Sequence, residues 1–259
     1  MTMTSRKAVA AVAVAAMLFT AACSDDSAGG SDGEPTGQST ASTDQSGDEQ
    51  AAVNEDQLYF YPPVQGAELT ISSEPDGGES SVTVVGVDDS GAGQQVRIKQ
   101  VFATTEGLEI DAAYTAGNDG SLTLDIEMFL MGMSGMAGME EVAVDFDGDN
   151  MVIPSIEAME AGETTSGSVT MTMSLEGFNI QNETTFTVSG VGYESVTTAL
   201  GTFDAYVVPV DMQMESTMVG STEGEIRYWF VPGFGWVKMQ AGLPGMTAVS
   251  EVTASTVTP

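Results

Sequence analysis

The sequence predicts an all-β domain, a strongly curved antiparallel sheet or barrel, on three observations. Apolar side chains recur at every second position: Val169, Met171, Met173 and Leu175 alternate with Ser168, Thr170, Thr172 and Ser174, the pattern of a strand with one buried face. Turn-forming clusters punctuate such runs at Asp76-Gly77-Gly78, Asn118-Asp119-Gly120 and Pro232-Gly233. No long stretch carries the 3.6-residue period of an amphipathic helix, and only Pro154 to Glu160 reads as a short one.

The domain comes late in the chain. Arg6 and Lys7 precede an uncharged apolar run from Ala8 to Ala22. As a helix, fifteen residues reach roughly 22 Å, short of the ~30 Å hydrocarbon core of a bilayer, so residues 1–22 read as a signal peptide and not as a permanent span. The small residues Ala21 and Ala22 lead directly into Cys23, the single cysteine of the chain. Thr20-Ala21-Ala22-Cys23 resembles the bacterial lipobox, with Thr20 standing where a larger aliphatic residue is usual. Cys23 is therefore expected to carry a lipid anchor, leaving the mature protein with no disulfide and no thiolate. Residues 24–56 are Ser, Asp, Gly, Glu, Thr and Gln with almost no apolar side chain, too polar to bury a core and expected to be a disordered tether. A flexible coil of that length spans roughly 30 Å on average.

From residue 57 to 259 the chain reads as one β domain. Alternation or β-branched enrichment marks strands over Leu69 to Ile71, Ser81 to Val87, Val96 to Phe102, Leu122 to Met128, Thr185 to Val191, Phe203 to Met214 and Trp236 to Met239. Thr83-Val84-Val85-Gly86-Val87 is echoed by Thr187-Val188-Ser189-Gly190-Val191. The echo admits two related half-sheets or chance similarity in a chain rich in Val, Thr and Gly.

Three segments carry a resemblance: Tyr59-Phe60-Tyr61-Pro62-Pro63-x-x-Gly66, Gly201-Thr202-Phe203-Asp204-Ala205-Tyr206, and Tyr228-Trp229-Phe230-Val231-Pro232-Gly233-Phe234-Gly235-Trp236-Val237-Lys238. In this order they resemble an uncharacterised family of bacterial envelope proteins and lipoproteins, and more remotely the half-barrel carriers that ferry lipoproteins and lipids. The resemblance implies a curved sheet that wraps an apolar ligand. Independently of it, Pro232-Gly233 has the residues of a turn between two aromatic strands, proline fixing φ and glycine supplying positive φ.

Composition excludes several chemistries. There is no histidine, so Ser-His-Asp and Cys-His catalysis and histidine-bound zinc, copper or haem are ruled out. No Gly-x-Ser-x-Gly elbow occurs in residues 57–259, and the chain has no Ser-x-x-Lys pair or P-loop. The expectation is a protein without enzymatic activity, cofactor or bound metal. Arg97, Lys99, Arg227 and Lys238 face 38 acidic residues in the mature chain, a formal charge of −34 that repels phosphate backbones and anionic headgroups. Nucleic acid is therefore not an expected partner, and the membrane is expected to be reached through the lipid anchor alone. Asp145-Phe146-Asp147-Gly148-Asp149-Asn150 lacks the glycine and glutamate of a calcium loop and reads as an acidic turn.

Methionine is the remaining signal. Met128, Met131, Met133, Met136 and Met139 are interleaved with Gly132, Gly135 and Gly138, which suggests a mobile loop or lid. Met171 and Met173, and Met212 and Met214, are pairs two residues apart that a strand would place on one face. Three uses stay open at this stage: core filling, the lining of an adaptable apolar cavity, and a thioether Cu(I) site. The sequence thus leads to a monomeric, extracytoplasmic lipoprotein of the cell membrane that binds or carries an apolar molecule such as a lipid or lipopeptide. A passive structural or interaction module of the envelope and a copper binder are the alternatives.

Overall fold

The computed structural model describes residues 57–75, 78–102, 108–125, 143–175, 178–217, 220–243 and 246–259. Among them one five-residue helix, α1 (Ile156–Glu160), accompanies fourteen strands: β1 (Glu68–Glu74), β2 (Gly78–Ser90), β3 (Gly93–Phe102), β4 (Leu108–Gly117), β5 (Leu122–Leu124), β6 (Ala143–Gly148), β7 (Met151–Ile153), β8 (Thr164–Leu175), β9 (Phe178–Ser189), β10 (Gly192–Thr198), β11 (Gly201–Ser216), β12 (Gly220–Val231), β13 (Gly235–Leu243) and β14 (Met246–Ser255). All fourteen belong to one antiparallel sheet in the order β6-β8-β9-β11-β12-β13-β14-β1-β2-β3-β4-β5-β7, with β10 beside β11. The expected all-β architecture is what the chain adopts. It is continuous, with no break between half-sheets: the two echoed segments lie in β2 and at the end of β9.

Alternation drives this arrangement. In β2 the side chains of Ser80, Val82 and Val84 are buried while Glu79, Ser81 and Val85 face water, so pairing buries one face at every strand. Bulges fall at Thr70/Ile71, Val84/Gly86 and Trp229/Phe230, and each bends its strand and increases the twist. The bending brings the two edges of the sheet together. β6 pairs with β8 at one edge and β7 pairs with β5 at the other, yet only Asp149 and Asn150 separate β6 from β7. Thr165 Oγ1 of β8 donates to the Val152 carbonyl of β7 at 2.5 Å across this seam. No strand ladder spans the seam, so the sheet is curled and not closed.

The structure corrects the reading of Asp145 to Asn150. Asp145 to Gly148 lie in β6 and only Asp149 and Asn150 connect. Asp145 and Asp147 point to solvent while Phe146 is half-buried, an alternation too short to stand out from an acidic turn. The expected strand from Leu122 ends at Leu124, and its last three residues lie outside the described chain. The expected helix forms, with Ser155 Oγ as N-cap accepting from the Ala158 N–H and Met159 in the core.

Candidate functional site

The curled sheet has two unlike ends. The first carries the β2–β3, β4–β5 and β12–β13 connections; the second carries β1–β2, β3–β4, β8–β9, β11–β12 and β13–β14.

Residues 57–67 fill the first end. Gln57 is held by its Nε2 donating to Gly117 O at 2.8 Å and by its carbonyl accepting from Gly233 N at 3.0 Å. Phe60 then sits among Tyr61, Tyr228 and Trp236, with ring centroids 5.1, 5.6 and 6.3 Å away. Tyr114 and Phe230 complete the group. The Tyr114 hydroxyl donates to the Tyr61 carbonyl and accepts from the Tyr61 N–H. Burial pushes the phenols of Tyr61, Tyr114 and Tyr228 well above their ordinary pKa, since a phenolate would have no water to solvate it. The Pro232-Gly233 turn forms as expected, Gly233 adopting φ +74°. Gly235 is equally constrained: at φ +134° a Cβ there would lie 2.9 Å from the Phe60 carbonyl oxygen, so the hairpin and the entering chain can meet only at a glycine.

On the outer side of the sheet, the end of the β10–β11 hairpin comes back against β12 and β14. Trp229 donates its indole N–H to Glu194 Oε1 at 2.5 Å, and Lys238 Nζ lies 5.1 Å over the same ring. Ala199 N donates to Glu251 Oε1 at 2.5 Å. Arg97 and Lys99 pair with Asp88 and Glu109, and Arg227 with Glu225. All four basic side chains of the mature domain are therefore engaged.

The inner face changes character toward the second end. Phe186 pairs in register with Met212, Thr184 with Met214, and Asn182 with both Met171 and Ser216; Phe146 stands opposite Met171. Side chains paired directly across an antiparallel ladder share a face, so Phe146, Met171, Asn182, Thr184, Phe186, Met212 and Met214 form one surface. Phe186 and Ile180 are buried, whereas Met171, Met212 and Met214 are half-buried. Met173 stands in β8 opposite Val144 and Ile180. Met128, Met131, Met133, Met136, Met139 and Cys23 lie outside the described residues. The flanks of that Met-rich stretch do not: β5 runs toward the second end, and β6 starts there.

A cavity of about 630 Å³ lies on the opposite, outer face, open to solvent and lined by Thr185, Thr187, Asp211, Gln213, Glu223 and Glu225 together with Met212, Gly224 and Gly242. Its size suits a small molecule, and its lining mixes three carboxylates with apolar surface, whereas pockets for greasy ligands are predominantly apolar. Among the described residues no group of three or more Asp, Glu, His or Cys is placed to hold a metal ion, and no helix is long and apolar enough to cross a membrane.

The pattern that defines DUF3108-like proteins matches residues 69–241, from β1 into β13. The chain belongs to the DUF3108-like family. No curated protein matches it in sequence. In three dimensions this DUF3108-like chain is similar to a protein from Bacteroides fragilis named as exported and of YmcC-like fold, with 17% identity, a TM-score of 0.56, and 77% of this chain and 100% of the other covered. It is similar in the same degree to a protein from Parabacteroides distasonis named as a lipoprotein, with 19% identity, a TM-score of 0.55, and coverage of 77% and 99%. At these identities the likeness concerns the fold.

Sequence reasoning expected each methionine pair to share a strand face, and Met212 and Met214 stand two residues apart in β11. It missed that β8 and β11 would turn their methionines to the same side of one sheet, because that depends on the register of β9 between them. It also missed Asn182, whose setting of Asn-Glu-Thr reads as exposed polar chain.

Proposed function

We propose that this DUF3108-like protein is an extracytoplasmic, lipid-anchored and non-enzymatic domain that binds or carries an apolar molecule on its inner sheet face at the second end. One observation carries the binding part of this reading: Met171, Met212 and Met214 share a face with Phe146 and Phe186 and are half-buried where the packed core gives way. Methionine is flexible and polarizable, suited to a ligand of variable shape. The extracytoplasmic part is supported by the signal-like residues 1–22, by Cys23, and by structural neighbours named as exported protein and lipoprotein.

The test uses the mature chain with Cys23→Ser and a neutral environment-sensitive dye. Binding is expected to survive replacement of Met171, Met212 and Met214 together by leucine, which keeps apolar character and similar volume. It should fall at least tenfold in Met214→Glu, while Gln213→Glu, on the opposite face, leaves it unchanged. Absence of dye binding, or equal effects of the two glutamates, overturns the reading. A stoichiometric Cu(I) complex lost in the leucine triple variant would replace it with metal handling, since leucine has no donor atom. One observation favours an interaction module as the second reading. Among the described residues β10 pairs with β11 alone and carries Tyr193, 64% exposed, and such an edge can accept a strand from another protein.

A further inference from the structure

Asn182 lies on β9 between Met171 of β8 and Ser216 of β11, and its side chain shares the inner face with Ile180, Thr184 and Met214. Asn182 as a whole is half-buried, but its Oδ1 has less than 1 Å² of accessible surface and no hydrogen-bond partner among the described residues. A buried carbonyl oxygen left in that state costs about 1–3 kcal/mol, and the great majority of buried polar groups avoid it. Elsewhere on the same face Ser73 pairs with Ser250 at 2.9 Å and Gln100 donates to Ser80 at 3.2 Å. The indole N–H of Trp236, a donor enclosed by aromatic rings at the first end, is the other buried polar atom without a hydrogen-bond partner among the described residues. Asn182 Oδ1 is thus an unused acceptor set among flexible apolar side chains.

We infer that the molecule bound on this face is a neutral amphiphile, a single alkyl or acyl chain whose first polar group is an amide N–H or a hydroxyl that donates to Asn182 Oδ1. The inference rests on the binding role proposed above and narrows its ligand. An ester or ether head has no proton to donate. A carboxylate head has none at neutral pH and enters a domain whose four cations are engaged and whose formal charge is −34. An amide or alcohol meets both conditions, and the methionines beside Asn182 can shift to admit it because their side chains have three rotatable bonds. A site built to accept such a proton discriminates strongly against analogues that lack it.

The experiment displaces the dye from the mature Cys23→Ser chain with dodecanamide, 1-dodecanol, methyl dodecanoate and dodecanoate at neutral pH. The amide and alcohol are expected to bind about tenfold more tightly than the methyl ester, the ratio that one hydrogen bond of ordinary net strength supplies, with dodecanoate weakest. In Asn182→Leu the amide and alcohol should fall to the level of the ester while the ester holds its affinity. That variant should melt at or above the temperature of the parent, since it removes an unpaired polar atom. If it fails to fold, Asn182→Val, which fits a strand, takes its place in the same comparison. Equal binding of amide and ester by the parent, or a preference that persists without Asn182, overturns the inference and leaves the carrier reading standing. If none of the four displaces the dye and the dye itself does not bind, the carrier reading fails, and the inference with it.

Discussion

The two ends of the sheet are built on the same inner face from different chemistry. At the first end, Phe230 and Tyr228 are almost wholly removed from water and packed with Phe60, Tyr61, Tyr114 and Trp236. At the second end, Met171, Met212 and Met214 are half-buried around one unpaired amide oxygen. A curled sheet needs its interior filled somewhere to be stable, and here the filling comes from residues 57–67, which precede β1 and cap one end. With the fold secured there, the other end is free to keep adaptable side chains. The difference assigns stability to the aromatic end and leaves the methionine end to the proposed binding role.

The largest test of that division removes the cap. A chain beginning at Ala52 should melt cooperatively by circular dichroism, whereas one beginning at Gly66, which lacks Leu58 to Tyr61, should lose the cooperative transition. A shared, sharp melt would show that the strands secure themselves without the cap. Next in size is a pair of truncations followed by urea unfolding. Phe230→Ala should cost about 3–5 kcal/mol, as fully buried phenylalanines do, and Met214→Ala less than about 1.5 kcal/mol because its site is already part open. Equal costs would erase the distinction.

A smaller effect separates the ends by pH. Tyr61, Tyr114 and Tyr228 have pKa values raised by burial, so the folded state keeps their protons where the unfolded chain releases them. Their contribution is fully present below about pH 10, the ordinary phenol value, and is lost progressively as pH rises above it. In an alkaline titration followed by phenolate absorbance, these three of the six tyrosines should ionise only as the far-ultraviolet signal of the sheet collapses. Their ionisation in a folded protein would mean that water reaches the aromatic end.

How far the sequence revealed this arrangement depended on the range of the interaction. Strands were legible wherever a face was buried for several residues, as in Val169 to Leu175, because period-two alternation is local. The Pro232-Gly233 reversal was legible because backbone chemistry dictates it. β6 was not, since in a strand of six residues Asp145 and Asp147 outweigh Phe146. The meeting of the sheet edges was not legible either, because it rests on β6 and β7 joining strands far apart in the sheet order. At the candidate site, the shared face within each methionine pair follows from spacing alone. The convergence of β8 with β11, and the burial of Asn182 Oδ1 between them, require a cross-strand register that no single segment encodes.

The point at which the chain enters the fold has a consequence for reach. Gln57 joins the domain at the aromatic end, bonded to Gly117 and Gly233, and the 13 residues of β2 run from there to the opposite end over roughly 40 Å. A protein held by lipid at Cys23 is therefore suspended by its closed end. On the proposed reading of residues 24–56 as a flexible tether, a coil of that length would average roughly 30 Å, less than the strand it would have to double back along. Returning the methionine end to an anchoring bilayer would then mean stretching the coil against its entropy. Turning that end outward carries no such penalty, and the geometry favours exchange with whatever stands above the membrane over exchange with the leaflet that holds the anchor.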